Sequence, residues 1–183
     1  MKKLITIIIV LLCFTGLKAQ QDPHFTHYMF NTLAVNPGYA GSRDALTVTG
    51  LYRNQWIGIS KGYSSTLVSY DHYIKAYNLG IGMIAGRDVS GTGGLTTTIL
   101  NPVLAYETRI NRNVGLRFGI QPGFGMASIN FNNLTFGDQI ARGGNVATIE
   151  KTPENSYYFD IGAGVLAYSS NFWAGLSFDH INT

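Results

Sequence analysis

From Val114 to Phe124 the chain alternates without a break. Val114, Leu116, Phe118, Ile120, Pro122 and Phe124 form one set, and Gly115, Arg117, Gly119, Gln121 and Gly123 the other. Successive side chains leave a strand on opposite faces, so a period of two over this length predicts a β-strand. One face is apolar. The other combines glycine with an arginine and a glutamine, which are costly to bury in a dry core and comfortable against water. The pattern predicts a strand between an apolar medium and water.

The same reading along the chain gives strands over 45–56, 64–74, 77–86, 95–106, 114–129, 156–168 and 172–180. The links alternate in length. Residues 57–63 form a medium link, Lys75-Ala76 a tight one, 87–94 a longer one and 109–113 a short polar one; a long segment, 130–155, precedes the brief 169–171. Tight turns at one end and longer loops at the other are the pattern of an outer-membrane barrel. One strand departs from simple alternation. Leu95, Thr97 and Ile99 imply one apolar face, whereas Leu100, Pro102, Leu104 and Tyr106 imply the other, so a bulge near Asn101 is expected.

The N-terminus suggests how the chain reaches a membrane. Lys2 and Lys3 precede the apolar run Leu4 to Phe14, and a small residue, Ala19, stands where a peptidase could cut. The run is far short of the roughly 20 apolar residues that span a bilayer, so residues 1–19 are read as a secretory signal peptide. Cys13, the single cysteine, lies inside this run, so the exported chain has no disulfide. Of 13 basic residues, Lys2, Lys3 and Lys18 leave with the leader; ten remain against ten acidic ones. That neutral balance gives no electrostatic footprint for nucleic acid.

Composition sharpens the fold class. Eleven tyrosines, ten phenylalanines and 22 glycines accompany only 13% charged residues, about half the share in soluble domains. The expected fold is all-β, an antiparallel transmembrane β-barrel of the outer membrane, with a soluble sandwich or lipocalin-like barrel as the competing fold. Trp56 and Tyr157 fall at outer strand ends; Tyr77, Phe172 and Trp173 fall at inner ends, where amphipathic rings sit at headgroup level. About seven strands is an odd count for a closed single-chain barrel, and the barrel domain, 45–183, is therefore expected to be incomplete. Alternation assigns Thr47, Thr49, Arg53, Gln55, Arg117 and Gln121 to the lumen. It assigns Val48, Tyr52, Leu79, Ile81, Val114, Phe118 and Ile161 to lipid.

Residues 20–44 lie between leader and barrel, as a periplasmic or plug-like segment. Phe25, Tyr28, Met29, Phe30 and Leu33 recur at spacings of three and four, which predicts one apolar face of a short helix. Asn36-Pro37-Gly38 ends it. Phe25, Tyr28, Met29 and Phe30 are the candidate anchors for a partner; the alternative is a tether that packs its aromatics under the barrel floor.

Catalytic and ligand-binding signals are sparse. His24 and His27 lack a third ligand nearby. The run Gly91 to Gly94 resembles a phosphate loop in composition but has no following lysine and helix, so a hairpin loop is expected. Ser177, Asp179 and His180 are the nearest approach to a lipid hydrolase, yet Ser177 and His180, three apart on a strand, face opposite sides. His72 stands in the same relation to Asp71. No enzyme, cofactor or metal is expected; a passive diffusion channel is the stronger alternative to a structural role.

The residues also carry a family likeness. The stretch QDPHFTHYMFNTLAVNPGYAGSRDALTVTGLYRNQW resembles the N-terminal signature of the PorP/SprF family of type IX secretion system membrane proteins of Bacteroidetes. FDIGAGVLAYSSNFWAGLSFDHIN resembles a second block, and LTFGDQI a third. The resemblance implies an outer-membrane barrel serving protein secretion and gliding motility. Its implied partners are the periplasmic ring components of the secretion apparatus, secreted surface proteins or adhesins, and outer-membrane lipid. The family's second half-barrel is absent from the pattern.

Overall fold

The computed structural model describes residues 25, 27–43, 45–58, 62–91, 94–130, 134–143, 148–149 and 155–182. The signal peptide assigned to 1–19, Cys13 and His24 lie outside them. Among the described residues, seven strands form one antiparallel sheet in chain order: β1 (Thr47–Gln55), β2 (Tyr63–Ile74), β3 (Leu79–Ser90), β4 (Leu95–Arg109), β5 (Val114–Ser128), β6 (Ser156–Ser169) and β7 (Trp173–Phe178). The sheet curls into a half-barrel whose edges, β1 and β7, are not paired with each other. No helix among the described residues is long and apolar enough to cross a membrane, which says nothing about strands. Strands β2 to β6 run 12 to 15 residues, beyond the 9 to 11 or so that a tilted membrane strand needs.

Register turns the alternation into two different surfaces. On the convex face, Val68, Ala85, Leu100, Phe124 and Phe159 are successive cross-strand partners, forming an apolar row over five strands. Ile81, Leu104, Ile120, Ala163 and Phe178 form another. In these rows Ile120 is 54% and Phe124 57% exposed, and Phe118 on the same face is 47% exposed. So large an unpartnered apolar face calls for an apolar environment. The concave face holds the buried side chains Leu67, Ile84, Val103, Ala105 and Leu166.

Three features differ from the pattern-based expectation. β3 does not stop at Gly86 but continues to Ser90, paired through Ser64 to Val89 and Arg87 to Thr98. Arg87 and Asp88 interrupt the apolar pattern without ending the strand, because Asp88 accepts a hydrogen bond from Ser65 on the concave face. The link to β4 is consequently confined to 91–94, and Gly94 N–H donates to the Gly91 carbonyl at 3.1 Å.

β4 has no bulge near Asn101. Its ladder with β3 is continuous, and its register with β5 is the same at Leu100–Phe124 as at Leu104–Ile120. That register sets Pro102 opposite Pro122. Neither proline has an N–H, so both missing donors fall at one rung. β4 carries apolar residues on both faces because the concave face has a core of its own: Ile99 packs against the cluster of Leu33, Leu67, Ile84 and Val103.

Finally, Trp173 does not join a headgroup belt. It pairs with Tyr168 on the concave face and meets the Tyr39 ring edge-on at 6.1 Å. Tyr77 (73% exposed) and Phe172 remain exposed at this turn end, and Trp56 and Tyr157 at the other.

Candidate functional site

The concave face is occupied by the chain's own N-terminal segment. The expected single helical face over Phe25 to Leu33 is broken into a 3-10 turn, Tyr28–Phe30, an α-turn, Thr32–Val35, and a second 3-10 turn, Pro37–Tyr39. Asn31 separates the first two. It is 2% exposed and leaves helical geometry (φ −108, ψ 73) while its side-chain oxygen accepts a 2.9 Å hydrogen bond from Ser69 of β2. Leu33 is buried at 2% beside Gly82 of β3.

Asn36 then pins the turn. Its side-chain oxygen accepts from Gly38 N–H at 2.7 Å, capping Pro37–Tyr39, a preferred use of asparagine at a helix start. Its amide nitrogen donates to the carbonyls of Val165 (3.3 Å) and Leu176 (3.0 Å), reaching β6 and β7. Ala40 and Gly41 fasten the other end. Arg117 donates to the Ala40 carbonyl at 3.3 Å, and Gly41 N–H donates to Asp71 at 3.2 Å.

This segment lies in a trough made by glycine. Gly80, Ala105, Gly119 and Gly164 are successive cross-strand partners on β3 to β6. A Cβ added at Gly80, Gly119 or Gly164 would come closer than 3.0 Å to Ala40, to Pro37 and Gly38, or to Asn36, respectively. At Gly80 and Gly119 the obstructing atoms are backbone, which cannot swing aside. Gly119 therefore faces the backbone of Pro37 and Gly38 where alternation alone implied water. Gly41 is required twice over: its φ is +65, and its own surroundings, Gly80 and Tyr73, leave no room for a side chain.

Below the trough, toward the tight turns, sits a charged knot. Arg117 and Glu107 are cross-strand partners joined at 2.6 Å, with side-chain exposures of 8% and 10%. Tyr168 donates its hydroxyl to the other Glu107 oxygen, also at 2.6 Å. The Arg117 guanidinium lies over the rings of Tyr73 and Tyr168, at 5.2 and 5.4 Å from their centroids. Gly115, the partner of Tyr168, leaves the space that the Tyr168 ring fills. Such a pair is held in place by its hydrogen bonds and rings, because desolvating both charges offsets much of their attraction.

Arg53, Gln55, Thr47, Thr49 and Gln121 also stand on the concave side, half-buried. Arg117, by contrast, is buried and held to the segment through the Ala40 carbonyl. Phe25 packs against the concave-face core with Leu51 and Ile99. Tyr28, Met29 and Phe30 stay 59–60% exposed, so the packing is carried by Asn31, Leu33, Asn36 and Pro37 together with Phe25. Ser177 donates to Asp179 at 3.0 Å and His180 pairs with Asp160 at 2.8 Å. The sequence pattern assigned no role to Glu107 or Asn31 and placed Asn36 only as part of a helix stop. A link over 109–113 is centred on Asn111 and would oppose Glu107 to Gly115; in the structure Ile110 N–H donates to the Val114 carbonyl at 3.0 Å, which centres the loop on Arg112 and opposes Glu107 to Arg117.

Comparison with known proteins agrees with this architecture. The family model described as type IX secretion system membrane protein PorP/SprF matches residues 17–183. No curated protein and no solved structure matches the chain.

Proposed function

Because the chain belongs to the PorP/SprF family of type IX secretion system membrane proteins, we propose that it is exported to the outer membrane. There it links secreted surface proteins and gliding adhesins to the secretion and motility machinery. The tight turns at Lys75–Tyr77, 110–113 and 170–172 face the periplasm, and the segment 129–155 faces outward, since long loops gather on the outer side of such barrels. Lipid covers the convex rows. Arg53, Gln55, Arg117 and Gln121 line the lumen side, which the N-terminal segment closes in part.

The observation that carries this reading is the filled trough. Pro37 and Gly38 sit against Gly119 with no room for a methyl group between them, an arrangement suited to a fixed structural component and poorly suited to an open diffusion channel. Tyr28, Met29 and Phe30, exposed between Asn31 at Ser69 and Phe25 against Leu51 and Ile99, lie on the outward side of the trough and are the docking residues for secreted surface proteins: large apolar side chains held on a fixed base are efficient interface anchors. Phe25 acts as part of the barrel packing. The test is purification of the protein from membranes with its partners identified by mass spectrometry. Periplasmic ring components and secreted surface proteins are expected with the native protein, and the secreted proteins are lost from Tyr28→Ala with Phe30→Ala at normal barrel abundance; the absence of both partner classes from the native preparation contradicts the proposal.

A further inference from the structure

Two adjoining cavities open at the turn end of the half-barrel, bordering the N-terminal segment. One, of about 360 Å³, is lined by Arg109, Arg112, Asn111 and Ser170; the other, of about 390 Å³, by Tyr39, Trp173, Leu166 and, on its inner wall, Thr32 and Arg117. Tyr168 and Ser169 line both, so the two are contiguous. The first compartment is cationic, and the second adds aromatic walls.

The charge at this end is one-sided. The described carboxylates there are Asp71 and Glu107, both buried; Asp71 accepts from Gly41, and Glu107 is held by Arg117 and Tyr168. Arg109 and Arg112 are exposed. Arg109 follows Glu107 by two residues on β4, so it shares the concave face with Glu107 and Arg117 and points away from the lipid-facing rows. A lipid headgroup would approach from the convex side. The rim cavity therefore suits an aqueous, polypeptide ligand better than a membrane one.

We propose that this paired cavity binds an acidic peptide segment of a periplasmic partner. Its carboxylates are held by Arg109 and Arg112, and one aromatic or large aliphatic side chain packs in the adjoining cavity against the Tyr39–Trp173 pair. Arginine forks suit carboxylates, and aromatic walls suit a single buried anchor. The proposal rests on the periplasmic orientation given above and names the chemistry of the partner.

The test uses a fluorescein-labelled peptide of four glutamates flanking one phenylalanine, with the protein in nanodiscs of zwitterionic lipid and fluorescence anisotropy as the readout. Binding is expected to weaken about tenfold or more in Arg109→Gln with Arg112→Gln, and to be retained by Arg109→Lys with Arg112→Lys, which keeps the charge. Trp173→Ala is expected to weaken the phenylalanine peptide toward the level of an all-glutamate peptide. Rising salt should weaken the native complex and leave the glutamine variant little changed. Equal binding by native protein and the glutamine variant overturns the proposal. So does displacement of the peptide when phosphatidylglycerol is added to the nanodiscs, which assigns the rim to lipid headgroups. If the peptide fails while ring components still co-purify, only this inference falls; if ring components never co-purify, the functional reading beneath it falls.

Discussion

Glu107 and Arg117 face each other across the β4–β5 hairpin, joined at 2.6 Å, and the same guanidinium holds the Ala40 carbonyl at 3.3 Å. One side chain thus ties two adjacent strands to the segment lying over them. Glu107→Ala leaves a buried arginine without its counter-charge, a loss of about 3–5 kcal/mol for pairs of this kind. The variant is expected to unfold at markedly lower denaturant concentration in lipid vesicles, read from its heat-modifiable electrophoretic mobility. Glu107→Gln, which keeps an acceptor for Tyr168 and Arg117, should lose less. Equal loss in the two variants would mean that the charge itself does not matter.

Gly119 tests the trough. Gly119→Ala places a methyl group where the Pro37 and Gly38 backbone now lies, and overpacking of this sort costs roughly 1–3 kcal/mol. The segment should lift, becoming cleavable by added protease between residues 31 and 41, while Gly50→Ala, with nothing within 4 Å, serves as the silent control. Protection that persists in Gly119→Ala would place the segment elsewhere.

The two faces of β5 separate in a third experiment. Phe118 lies on the exposed convex row and Gln121 on the concave side. Phe118→Arg should block assembly into lipid, since an arginine at the bilayer midplane costs about 2–4 kcal/mol on a barrel exterior, whereas Gln121→Arg should insert. Equal insertion of both would return the fold to a soluble sheet.

Outside the strands, Asp138 organises the segment between β5 and β6. Its carboxyl is held below the usual value, first by the Ile149 N–H at 3.0 Å and then by the Thr148 hydroxyl at 2.9 Å and by Arg142. A depressed carboxyl stabilises the loop above its unfolded value of about 3.9 and loses that contribution as pH falls through the lower folded value. Proteolysis at the loop should stay flat from pH 7 to pH 5 and rise under more acid conditions with an acid-active protease. Asp138→Asn should show the acid level of cleavage already at pH 7. A loop whose cleavage is insensitive to both would not be tied through Asp138.

Much of the sheet was legible in the chain because its signals are local. Period two assigned the faces of β5, and the short polar link near 109–113 marked a hairpin, although its register, which opposes Glu107 to Arg117, came only with the structure. Local signals also misled: Arg87 and Asp88 suggested a strand end that cross-strand pairing with Ser65 overrides, and Pro102 suggested a bulge because its opposite number, Pro122, is known only from register. The trough was not readable at all. Gly80, Ala105, Gly119 and Gly164 come from four strands, and what they accommodate is the backbone of Pro37 to Ala40, far away in sequence. A glycine facing a lumen and a glycine facing another backbone leave the same mark in a sequence.

The chain's own segment lies over the concave face, and single-channel recording in planar bilayers tests this closure most directly. The native protein should conduct little. Deletion of residues 31–41, or displacement of that segment by Gly119→Ala, should open steps of large conductance at equal insertion. Large conductance from the native protein, unchanged by either alteration, would contradict the account and make the molecule a passive channel.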